Sequence, residues 1–183
     1  MKDIAGVLLE DDLYQELVDA VAHADESTRE ERVARLVWLS KLPPSPAVVL
    51  GRFEQLHLHE EARVSFVGGQ FAAVVLTAFA LLEQTLVEEL HLLGAKSVPR
   101  DLSKLLLLAR ASDVLSAEQL DCANQIRNRR NPWAHFKATE DEHSPVRRYR
   151  AAQVAPQAML EEDARDAIRL AFEVFAQTMR PLK

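Results

Sequence analysis

The chain has 183 residues, 48% of them hydrophobic and 27% charged, which suffices for one well-cored domain and is too apolar for a disordered one. Its net charge of −6 argues against a general nucleic-acid coat protein, and its single cysteine, Cys122, excludes an intramolecular disulfide and a zinc knuckle. Glycine is scarce at five residues, while leucine, alanine, glutamate and arginine are plentiful, a bias toward helix.

Helical signals recur along the chain, with no sustained period-two alternation and no Asn-Gly or Asp-Gly hairpin. Leu13, Leu17, Ala20/Val21 and Ala24 form a first amphipathic face. Thr28 with Glu31 reads as a capping box opening a second helix, whose apolar side is Val33, Leu36 and Val37. Pro43-Pro44-Ser45-Pro46 stops it, because proline lacks a donor and disfavours helix in the residue before it. Residues 1–42 are therefore expected to be an N-terminal helical hairpin extension. Glu10, Asp11 and Asp12 follow Met1 too early for a signal peptide, and the lone cysteine suits a reducing compartment, so the cytoplasm is the expected location.

Residues 47–180 read as an up-and-down helical bundle, making the whole chain all-α. A helix over roughly 47–66 ends at Gly68-Gly69. The next, roughly 70–93, carries Phe71, Val74, Val75, Ala78, Leu81, Leu82, Leu86 and Leu90 and is apolar nearly all round in its first half, so it should be the most buried. Its longest apolar run, Phe71 to Leu82, is too short for a membrane span. A shorter segment covers Leu102 to Ala109. Ser116 with Gln119 is a second capping box, and Leu115 can staple onto Leu120. Residues 137–156, polar and interrupted by Pro145 and Pro156, read as a long loop. A last helix over roughly 158–179 turns Leu160, Ala164, Ile168, Phe172, Phe175 and Met179 inward.

The helix opened by Ser116 leads into Arg130-Asn131-Pro132-Trp133-Ala134-His135. An Arg-x4-His pair arises by chance about half a time in this composition, as Arg52 to His57 illustrates, but requiring Asn after the Arg lowers that to about one in a hundred. The pattern joins a permanent cation suited to phosphate with a side chain that titrates near neutrality. On an ideal helix residues five apart diverge by about 140°. Pro132 cannot donate to the carbonyl of Asn128, so a wide turn is expected to bring Arg130 and His135 together, with Asn131 bonding freed backbone or orienting the histidine. Residues 127–150 hold Arg127, Arg129, Arg130, Lys137, Arg147, Arg148 and Arg150 against Glu140, Asp141 and Glu142, a net +4 on a chain that is −10 elsewhere. Arg127, Arg129 and Lys137 are the expected substrate-binding residues around the motif.

Arg130-Asn131-x-x-x-His135 resembles the signature of the HEPN superfamily, four- to five-helix bundles with an R-x(4–6)-H motif near the end of a late helix. The likeness spans roughly residues 47–180 and includes an alanine-rich helix bearing an acidic residue, here Glu83; residues 1–42 lie outside it. The resemblance implies a metal-independent endoribonuclease of a toxin, antiphage or RNA-processing system, leaving 2′,3′-cyclic phosphate ends and needing no cofactor or metal. His135 would be the general acid/base, Arg130 would hold the scissile phosphate, and Asn131 would position one or both. It further implies RNA as substrate, a homodimer placing two motifs across one cleft, an antitoxin or other partner protein, and no membrane. A tyrosine found two residues after the histidine in some members is Lys137 here, which removes the group those members use for regulation. The alternative is a catalytically inactive helical module that binds protein or nucleotide.

One competing site is legible. Within His57-Leu58-His59-Glu60-Glu61, His57 and Glu61 share a helical face while His59 points elsewhere; further metal ligands would have to come from Glu88, Glu89 or His91. Glu30-Glu31-Arg32 and Glu161-Glu162-Asp163 read most simply as helix-start charges.

Overall fold

The computed structural model describes residues 11–43, 53–134 and 144–179. Among them the chain forms eight helices and no strand: α1 Asp11–Ser27, α2 Arg29–Leu39, α3 Phe53–Val67, α4 Phe71–Leu92, α5 Leu102–Ala111, α6 Ala117–Ala134, α7 Pro145–Ala152 and α8 Pro156–Thr178. The protein is an all-α bundle, as its composition and periodicity predict.

Helix α4 is the hub, lying against α3 and α8 along most of its length and against α5 and α6 more briefly. All eight apolar side chains expected to bury on it do so, joined by Phe79, Thr85 and Glu89. By length and composition α4 could cross a membrane, but its apolar surface is covered by neighbouring helices. On α8, Ala164, Ile168, Phe172 and Phe175 face the same core, with Leu160 and Met179 at its edge. Burial of this kind contributes roughly 25 cal/mol per Å² of apolar surface, which makes the α4–α8 seam the main source of stability.

Between α3 and α4 the chain turns at Gly68-Gly69. Gly69 has φ of 76°, and an added Cβ there would meet the Arg35 guanidinium at 3.1 Å. Arg35 lies against this turn, donating to the Val67 carbonyl at 3.3 Å and to Glu31 at 2.8 Å, with its charge 5.0 Å from the Phe71 ring. One turn further on, the Trp38 and Phe66 rings meet at 5.1 Å, tilted by 43°.

The N-terminal region therefore differs from its expectation. Helix α2 docks on the body through Arg35, Trp38 and Leu39, whereas Val33, Leu36 and Val37, the expected apolar face, are exposed. Arginine and tryptophan escaped the periodicity because each is counted as amphipathic, yet both bury long apolar stems. The expected capping box at Thr28 is not formed: Thr28 has helical backbone angles, and its hydroxyl donates back to the Ala24 carbonyl at 3.0 Å. This single residue joins α1 to α2, and every described α1 side chain is exposed.

The expected loop over 137–156 also contains structure. Ser144 caps α7 by accepting from the Arg147 N–H at 3.2 Å, and Pro145 occupies the first helical position, where its missing donor costs nothing. Residues 135–143 lie outside the described residues, as do 44–52, which include the start of the helix expected from residue 47.

Candidate functional site

The register of α6 is set at its first turn. The Ser116 N–H donates to Gln119 Oε1 at 3.0 Å, and the Gln119 N–H donates to Ser116 Oγ at 3.1 Å, the reciprocal box expected from the sequence. Leu115, Ala123 and Ile126 then bury against the core, which brings Arg127, Arg129, Arg130 and Asn131 into the last two turns, all half-buried.

These four residues fare differently. Arg127 donates to the Ser103 hydroxyl on α5. Arg129 reaches α8, with Nη1 3.2 Å from Asp163 and 3.0 Å from Asp166. Arg130 instead lies with its charge 5.7 Å from the centre of the Phe79 ring, its Nε buried and unpartnered, and no carboxylate pairs with it among the described residues. Asn131 follows at the same depth. Helix α6 continues across Pro132 to Ala134 without interruption, so the expected break does not fall before that residue. Pro132 sits in the last described turn of α6. His135 and Lys137 lie outside the described residues, and with them the expected convergence on Arg130.

The basic patch is weaker than its residue count implies. Arg148, on α7, forms a two-pronged pair with Asp163, one prong at 2.8 Å. Asp163 is 1% exposed and answers both Arg148 and Arg129. Read from sequence as a helix-start charge, it is the buried junction of α6, α7 and α8. The missed signal was its position beside Ala167 and Leu170 on the buried side of α8, where a carboxylate requires a cationic partner. Of the two described arginines expected to bind substrate beside the motif, Arg129 is held by carboxylates and Arg127 by a hydroxyl, while Arg130 has no carboxylate partner among the described residues.

Phe79 and Glu83 are one turn apart on α4, so the Arg130 guanidinium packs on the stretch of α4 that bears Glu83. Glu83 also borders a cavity of about 810 Å³ between α3 and α4, with Gln55, Val87, Glu88 and His91. Gln55 donates to Glu88 there at 2.7 Å.

The competing histidines separate as their spacing predicts. His57 faces Glu61 at 3.5 Å on the surface, while His59 is buried and stacks on Phe172 at 3.7 Å. Burial lowers the His59 pKa to about 4, so it is neutral at physiological pH. No group of three or more His, Cys, Asp or Glu side chains arranged to hold a metal occurs among the described residues. Cys122 borders a polar cavity of about 670 Å³ beside Asp166 and Arg169; burial and then Asp166 push its thiol pKa up, which disfavours a nucleophilic thiolate.

Comparison of the chain with protein-family models, curated proteins and solved structures finds no match. The likeness to HEPN domains rests on the motif and on helix order alone.

Proposed function

We propose that this chain is a HEPN-type endoribonuclease that cleaves RNA without a metal, through Arg130, Asn131 and His135. The observation that carries the reading is the state of Arg130. Alone among Arg127, Arg129 and Arg130 it has no hydrogen-bond or ion-pair partner among the described residues, and an aromatic ring rather than water backs it. A guanidinium so placed suits a phosphoryl oxygen, since charge-assisted bonds strengthen where water is excluded.

In this mechanism His135 removes the ribose 2′-hydroxyl proton as the oxygen attacks the adjacent phosphorus. Arg130 neutralises the charge developing on the non-bridging oxygens, and Asn131 orients one of these groups. The 5′-oxygen of the next nucleotide leaves and takes a proton from an acid, giving a 2′,3′-cyclic phosphate and a 5′-hydroxyl. One His135 per chain supplies one of these proton transfers, so a two-fold dimer with both motifs on one cleft completes the pair. The reading is tested by the ends produced from single-stranded RNA. Cyclic phosphate ends from the wild type, strongly reduced with Arg130→Ala, are expected; 3′-hydroxyl ends would contradict it.

A second reading, a non-catalytic module that binds protein or nucleotide, is favoured by one observation. Arg129 and Arg148 are committed to Asp163, which takes two cations of the basic patch away from an RNA strand.

A further inference from the structure

The described side chains of α1 are all exposed, and its Asp25 meets Arg32 of α2 at 3.3 Å. Leu13, Leu17, Val21 and Ala24 recur at helical spacing along one face, with Tyr14 and Val18 beside them, and all are exposed, Val21 and Tyr14 by 63% and 60%. Most helical stability in proteins comes from covering such a face, and nothing described in this chain covers it. A contiguous exposed apolar stripe of this kind marks an interaction site.

Charge selects the occupant. Helix α1 carries Asp11, Asp12, Glu16, Asp19, Asp25 and Glu26 and no lysine or arginine. A second α1 would bring a like-charged helix against the first, and an anionic membrane surface or a nucleic acid would be repelled likewise. We propose that this face docks an amphipathic helix of a partner protein, its apolar ridge flanked by lysine and arginine. The geometry is a helix pair with a leucine and valine seam, bordered by a cation that answers Glu16 at one edge of the stripe. This surface is independent of the Arg130 site.

The probe is a synthetic peptide of leucine and lysine at heptad spacing, about 18 residues long so as to match α1. It is compared with the same peptide carrying glutamate for lysine. Both are titrated into the full chain and into Leu17→Asn/Val21→Asn, whose altered positions are exposed and whose formal charge is unchanged. The lysine peptide should bind the wild type, weaken with salt and lose at least about tenfold in affinity to the double variant, while the glutamate peptide should not bind. Equal binding to wild type and double variant would show that charge alone holds the peptide and would overturn the proposal. Failure of the lysine peptide to bind, or binding of the glutamate peptide, would overturn it too. So would sedimentation showing that the wild type pairs with itself, or with neutral phosphatidylcholine vesicles, through a contact the double variant loses.

Discussion

Arg129 on α6 and Asp163 on α8 meet at 3.2 Å, and the same carboxylate also holds Arg148 of α7. One buried acid thus joins the helix that carries Arg130 to the helix that follows the undescribed segment 135–143. The two ion pairs make Arg129 a brace between α6 and α8 and offset repulsion among the arginines around it.

Removing that acid should be costly. Asp163→Ala leaves Arg148 without the carboxylate it pairs with and Arg129 with Asp166 alone, and should destabilise the protein by about 3 kcal/mol. Asp163→Asn, which keeps the shape and some hydrogen bonding, should cost less. Urea unfolding of the two variants checks the order; a loss under about 1 kcal/mol for Asp163→Ala would contradict the junction.

The capping box at Ser116 should act on α6 directly. Ser116→Ala removes the bond accepted from the Gln119 N–H and should lower stability by about 1 kcal/mol. The same melts measure it. Hydrogen exchange should quicken first in the opening turn of α6.

His59 makes stability depend on pH. Its folded pKa of about 4 lies below the unfolded value of 6.5, so between these values the unfolded chain binds more protons than the folded one. Stability should therefore be full above pH 6.5 and fall as pH drops toward 4, by up to about 3 kcal/mol in total. In His59→Phe, which keeps an aromatic ring against Phe172, that part of the slope should vanish. An unchanged slope would mean that other groups carry it.

The bundle was legible because its helices bury long apolar runs, so α4 and α8 announce themselves through Leu81, Leu86, Ile168 and Phe175 at helical spacing. Ser116 and Gln119 were readable for a similar reason: a local hydrogen-bond pair needs only a fixed separation along the chain. Where side chains mix character, the pattern misled. Arg35 and Trp38 dock α2 through apolar stems and a cation, while Val33, Leu36 and Val37 of α2 and the described hydrophobes of α1 stay outside. The burial of Asp163 was readable from Ala167 and Leu170, but its partners Arg129 and Arg148 were not, being tens of residues or one helix away. Arg130 and Asn131 fall in the last described turns of α6, whereas nothing in the spacing revealed that Arg127 and Arg129 would be occupied.

The most direct measurement is RNA cleavage in EDTA by the wild type and by His135→Ala. Cleavage by the wild type that persists under chelation and falls by about 10²–10⁴ in the variant is the result the account predicts, since a general acid/base group contributes about that much. Equal rates for the two proteins, or cleavage abolished by the chelator, would contradict it.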